Sequence, residues 1–313
     1  DPNGNVWAVQ KGSHNYKYVS AIQNKNTILD WRHITSEKLV ELYNSKRNDE
    51  GSFLSPTEVS FKGNYAWFGF EYIENLSSGG IGVVDYSMIW DNYSTDCDSW
   101  KEESSTWVWL NDQDLLPGAE YGCSACSYPT VLSLSFDEDG LLWVLTSKGL
   151  RAFYPTTSYN NELEKLEFGL TPIGLTYFSN LSLNLGDKIK IDPQNNKWLV
   201  SKNHGVFVVL NDFNLWPSSE GLNISNSFLI SNNVNDLTFD YSFPKAYIAT
   251  DLGVSVLEIP FGNDQPSSLI SVSPNPFIVS ESKGLTIDKI SSGSIIKILT
   301  LDGNIVKEFK LTE

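Results

Sequence analysis

The sequence is short of several residue types, and each shortage removes a class of explanation. One methionine and little alanine leave poor material for helices, whereas Asn, Ser, Gly and Thr are plentiful and favour strands and turns. Basic side chains number 22 against 38 acidic ones, a net charge of −16, and no Lys/Arg cluster interrupts the acidity. That balance argues against a nucleic-acid partner, which needs a basic track for its phosphates, and fits a surface kept soluble by charge. No apolar run approaches the ~18 residues of a membrane span, so no transmembrane segment is expected. The histidines are His14, His33 and His204, scattered and away from any Ser or Cys nucleophile motif. His204 stands in a variable turn before Gly205 and reads as a loop residue rather than a general base. With no catalytic constellation in view, a non-enzymatic protein without a cofactor is expected.

Cysteine is equally sparse. Cys97, Cys123 and Cys126 all fall in a long insertion over about 85–128. Cys123-x-x-Cys126 has the spacing of half a zinc site, but a structural site wants four ligands and no histidine lies nearby. One disulfide with a leftover thiol is the favoured expectation for an exported protein, with free thiols or a metal as alternatives. The acidic group Asp91, Asp96 and Asp98 lacks the spacing of a calcium loop and reads as solvated, calcium being the lesser alternative.

Aromatic residues, by contrast, make up 13% of the chain, and hydrophobic residues 41%, ample for a large core. They recur in a unit: a short apolar strand ending at Asp, a polar turn, a strand with Trp or Tyr, then Gly and a third apolar strand. The clearest copy runs Val131-x-x-Leu134-x-Phe136-Asp137, a turn through Gly140, Leu142-Trp143-Val144-Leu145-Thr146, then Gly149-Leu150. A second has Ile189-x-Ile191-Asp192, Trp198-Leu199-Val200 and Gly205-Val206; a third has Leu237-x-Phe239-Asp240, Tyr247-Ile248 and Gly253-Val254. Weaker copies surround Trp67 and Trp7, the latter preceded by Asp1 and Gly4. The anchors Trp7, Trp67, Trp143, Trp198 and Tyr247 are spaced 49 to 76 residues apart.

This period predicts an all-β chain, a β-propeller with five visible blade motifs, belonging to a ring of seven or eight. Runs such as Val206–Leu210 are apolar on both faces, as small sheets packed between neighbouring blades require. The ring aromatic is expected to fill the gap between splayed sheets. Asp137, Asp192 and Asp240 are expected to cap turns, a metal-binding ring of carboxylates being the alternative. The opening Asp1–Trp7 reads as a turn inside a blade, so a targeting segment is expected upstream. Trp107-x-Trp109 puts two indoles on one strand face; packing is favoured over a sugar-stacking platform.

The propeller is expected over 1–261, a polar linker over 262–268, and a second β-domain from 269 to 313. In the last, Pro274 and Pro276 stiffen the lead-in around Asn275, and Asp302-Gly303 is a strong hairpin turn. About 45 residues are too few for an immunoglobulin-like sandwich, so this domain is expected to be incomplete.

Asp137, Gly140, Trp143, Thr146 and Gly149 match position for position the repeat Asp-x-x-Gly-x-x-Trp-x-x-Thr-x-x-Gly, and the chain here resembles the two-component-regulator-type propellers. Around Asp192 the match is poorer, with Asn195 and Asn196 in the Gly region and Ser201 for Thr. The stretch Leu229–Leu237 through Ala249–Gly253 resembles the last blade of PorZ-type proteins, surface components of the type IX secretion system. The tail Pro274-Asn275-Pro276, with Ile295–Val306 behind it, is similar to the opening of a type IX C-terminal sorting domain. The resemblance implies a secreted or outer-membrane-associated, cell-surface scaffold. Its partners would be proteins of the secretion and attachment machinery, and lipopolysaccharide or another glycan. In that family lipopolysaccharide contacts the C-terminal domain, so no binding residue transfers to this chain. A periplasmic sensor of a hybrid histidine kinase, and a propeller lyase or lactonase, are the rival readings.

Overall fold

A computed structural model describes residues 1–9, 19–22, 31–34, 54–73, 79–86, 107–110, 130–161, 165–240, 243–260, 271–273, 284–288, 295–300 and 305–310. All its regular elements are strands, and no described helix is long and apolar enough to cross a membrane. By internal contacts the chain divides into two units, Asp1–Phe239 with Ala246–Leu257, and Asp240–Lys245 with Glu258–Glu313.

The first sheet holds β1 (Val6–Val9), β2 (Val19–Ile22) and β3 (Trp31–Ile34). The second holds β4 (Leu54–Lys62), β5 (Tyr65–Ile73), β6 (Gly80–Asp85) and β7 (Trp107–Leu110). In the third are β8 (Val131–Phe136), β9 (Leu142–Thr146), β10 (Gly149–Asn160) and β11 (Lys165–Tyr177). The fourth is made of β12 (Lys188–Ile191), β13 (Lys197–Ser201), β14 (Gly205–Val209) and β15 (Leu215–Trp216). β16 (Val234–Asp240), β17 (Lys245–Thr250) and β18 (Gly253–Glu258) form the fifth. Each sheet is a meander whose strands neighbour one another in chain order, and each is built on one copy of the sequence repeat. β7 lies within the expected insertion and supplies the outer strand of the second sheet, with Trp107 opposite Val84 and Trp109 opposite Gly82.

The first strands stand side by side, β4 against β8 and β8 against β12. Between the second and third sheets the core is Trp67, Ile81 and Val83 packed on Leu134, Leu142, Val144 and Phe153. Between the third and fourth it is Trp143, Leu145 and Leu150 packed on Ile189, Leu199, Phe207 and Val209. Every residue of β9, β13 and β14 is buried, which explains why these strands read as apolar runs without alternation. β18, in contrast, exposes Val254 and Val256.

The second unit contains two hairpins, β19 (Ser271–Ser273) with β20 (Thr286–Asp288) and β21 (Ile295–Leu299) with β22 (Ile305–Lys310). A bulge between Ile298 and Leu299 breaks the second register, and Lys297 pairs with Glu308 across it at 3.4 Å.

Candidate functional site

The repeat residues meet in a clasp that the spacing alone did not reveal. Asp137 accepts the backbone N–H of Leu141 at 2.9 Å on one oxygen and the indole N–H of Trp143 at 2.8 Å on the other. Asp192 does the same for Asn196 N–H and the Trp198 indole, each at 2.8 Å. Asp1 repeats it with Asn5 N–H at 2.9 Å and the Trp7 indole at 2.8 Å. The Asp therefore closes the turn and also satisfies the polar edge of the ring that fills the gap between sheets.

Within each turn the fourth residue takes a left-handed conformation, Gly4 at φ 77°, Gly140 at φ 78° and Asn195 at φ 63°. Asn is the side chain best suited to replace glycine there, which accounts for its place in the weaker copy. Asn195 then adds contacts that glycine lacks: its carbonyl accepts Glu138 N–H at 2.9 Å, and its amide donates to Asp139 at 2.9 Å. Lys197, buried to 1% exposure, crosses between the same sheets to Asp137 at 3.1 Å and lies 5.1 Å from the Trp143 ring centre.

The second sheet departs from the pattern. Phe61 is followed by Lys62 where Phe136, Ile191 and Phe239 are followed by Asp. Its turn shrinks to Gly63-Asn64, with Lys62 paired to Tyr65. Trp67 keeps its place, edge-on to Phe136 at 5.5 Å, but its buried indole N–H has no partner among the described residues. In the fifth sheet Asp240 accepts Phe243 N–H at 3.2 Å, and Tyr247 is 37% exposed rather than enclosed. Gly149, Gly205 and Gly253 each follow a Thr or Ser turn; Thr250 donates to Gly253 O at 2.9 Å. A side chain at Gly149 would meet Tyr177 O at 2.6 Å.

The inner strands carry a second polar system around a cavity of about 420 Å³ whose walls include Glu58, Glu71, Asp187, Lys188 and Lys190. Ser133, fully buried on β8, donates its hydroxyl to Glu58 on β4 and accepts Ile189 N–H from β12 at 3.0 Å. Burial raises the Glu58 carboxyl above its ordinary range, against the pull of the Ser133 hydroxyl and of Lys190. Lys188 and Lys190 reach Asp236 on β16 at 3.2 and 3.1 Å. Partial burial opposes ionisation of Asp236, but the Leu237 N–H and Lys190 outweigh it and hold its carboxyl below the usual range. Asp187 is spent on the backbone N–H groups of Asn184 and Lys202, at 2.8 and 2.7 Å.

Cys97, Cys123, Cys126, Pro274, Asn275, Pro276 and the Asp91, Asp96, Asp98 group lie outside the described residues, as do the expected linker 262–268 and the Trp107 and Trp109 side chains.

The meandering sheets stacked through their aromatic anchors define a β-propeller. Among solved structures the chain is similar to PorZ, described as an essential surface component of the type IX secretion system of Porphyromonas gingivalis. The TM-score is 0.51 at 16% identity, over 100% of this chain and 38% of PorZ. It is also similar to the extracellular domain of a putative hybrid two-component system from B. thetaiotaomicron, with a TM-score of 0.40 at 16% identity, over 80% of this chain and 24% of that one. A gluconolactonase from Xanthomonas campestris aligns with a TM-score of 0.41 at 12% identity, over 79% of this chain and 67% of that one. At such identities the likeness is one of fold. No protein-family profile matches the chain, and no curated protein does.

Proposed function

We propose that the protein is a non-enzymatic, exported propeller, a cell-surface scaffold for protein or glycan binding that serves as a PorZ-like component or cargo of a type IX secretion system. One observation carries the non-enzymatic half. In the inner cavity Glu58 is engaged by Ser133, Lys188 and Lys190 by Asp236, and Asp187 by two backbone N–H groups. An acid or base whose proton positions are already taken by its own protein is poorly placed to act on a substrate. The export half draws support from the likeness of fold to PorZ and from the Pro274-Asn275-Pro276 tail.

Protease shaving of intact cells of the source organism should release peptides from 130–260, and crosslinking there should recover a protein or lipopolysaccharide adduct. Recovery of the chain only from the cytoplasm would overturn the export half. Turnover of a lactone or a uronate polymer by the purified chain, lost on Glu58→Gln, would overturn the non-enzymatic half.

A further inference from the structure

Between the third and fourth sheets, on the side of the β13–β14 turn, lies a second cavity of about 880 Å³, within the size range of small-molecule sites. Its floor is apolar and aromatic. Phe178 and Phe207 are buried there with ring centres 5.0 Å apart, and Tyr177 stands 6.0 Å from Phe178. Phe178 holds φ 59°, a left-handed conformation that a bulky residue adopts only where its surroundings enforce it. The Tyr177 hydroxyl donates to Phe213 O at 2.9 Å, which fixes the ring.

The rim is polar and nearly neutral. Asn180, Asn203, Asn232 and Glu220 line it with His204, and no lysine or arginine among the described residues does. The side chains of Asn180, Asn203 and Glu220 make no hydrogen bond among the described residues. The wall that carries Glu220 is braced in advance. Leu222 and Val206 exchange backbone hydrogen bonds at 2.7 and 3.0 Å, and Gly205 N–H donates to Asn232 O at 3.0 Å. Asn226 accepts Asn223 N–H at 2.9 Å and donates to Gly221 O at 2.8 Å. The ordering cost of this wall is met during folding, so a ligand need not supply it.

We infer that this cavity binds a neutral oligosaccharide. Side-chain amides offer a donor and an acceptor on one group, the pairing that sugar hydroxyls require. The aromatic floor suits the apolar C–H face of a pyranose ring. The described lining of amides and the Glu220 carboxylate favours a neutral ligand over phosphate or another strong anion. Asn180, Asn203 and Glu220 hold hydroxyls, and the partly exposed Tyr177 ring, backed by the buried Phe178, forms the platform. The site stands whether or not the protein is exported, so its failure and that of the scaffold reading are separable.

Saturation-transfer NMR on the full chain with maltotriose, cellotriose, xylotriose and mannotriose tests it. Transfer to at least one sugar is expected. Asn203→Ala with Glu220→Gln should weaken that binding about tenfold or more, with the melting temperature unchanged because both side chains are exposed. Trp107→Ala with Trp109→Ala should leave it intact. Absence of transfer to all these sugars, or binding that survives the Asn203 and Glu220 changes, overturns the inference.

Discussion

In the second sheet Trp67 fills the gap against Phe136 with its indole N–H unanswered among the described residues; in the third, Trp143 fills the same kind of gap and gives its N–H to Asp137. Both rings are buried. The difference separates two roles that the repeat fuses. The ring is kept wherever two sheets must be wedged apart, whereas the Asp is kept where a longer turn needs closing. Where the turn contracts to Gly63-Asn64, the carboxylate disappears and Lys62 takes its position, donating to Gly140 O of the neighbouring sheet at 2.6 Å.

The contrast is broken most severely at Asp137. Asp137→Ala leaves the buried Lys197 ammonium without its carboxylate, retaining the Asn211 carbonyl at 3.2 Å, and strands the Trp143 N–H, and should cost about 3–5 kcal/mol in chemical unfolding. Trp198→Ala should cost a similar ~3–5 kcal/mol through the cavity it opens. A loss below about 1 kcal/mol at either position would mean that the clasp does not hold the sheets. Next comes a paired comparison. Trp143→Phe should cost about 1.5–3 kcal/mol more than Trp67→Phe, because only the former removes an N–H that donates to a charged acceptor. Equal losses would show that Trp67 N–H has a partner of comparable worth.

A smaller effect concerns pH. Glu58 has a raised folded-state pKa, so its ionisation opposes folding as pH rises above the ordinary carboxylate range. Glu58→Gln should therefore raise the melting temperature at neutral pH, by the equivalent of about 1 kcal/mol or less, and lose that advantage on acidification. Asp236 has a lowered pKa, so its contribution is present at neutral pH and lost as pH falls through its folded value. Asp236→Asn should lower the melting temperature at neutral pH, and that effect should fade as pH falls below the ordinary carboxylate range. Parallel pH profiles for the two variants would contradict this assignment. Smallest of all should be Lys62→Ala, within about 0.5–1 kcal/mol of the parent, since its side chain is exposed.

The propeller was legible because its signal is long-range and redundant: an aromatic, a turn and a glycine recurring through five sheets. The clasp was half legible. Asp1 and Trp7, Asp137 and Trp143, and Asp192 and Trp198 all stand six residues apart, yet the Asp read only as a turn cap. A buried indole N–H needs an acceptor, and asking which residue supplied it would have paired them. The rim cavity was not legible. Its walls come from the end of β11, the β13–β14 turn and the segment around Ser219–Asn226, and loops rich in Asn and Ser carry no period to read. The inner ion pairs were equally hidden, because Lys188, Lys190 and Asp236 meet only once β12 and β16 are placed.

Ser133 sets how this stack yields to force or heat. A single hydroxyl, giving its proton to β4 and receiving one from β12, latches three successive sheets at one atom. Prising off either neighbour leaves a carboxyl or an amide without its Ser133 partner, so sheets two to four are expected to open as one block. The exchange rate of the Ile189 amide then becomes a gauge for the whole block, and should quicken when Glu58, two sheets away, is replaced by Ala and the Ser133 hydroxyl loses its acceptor.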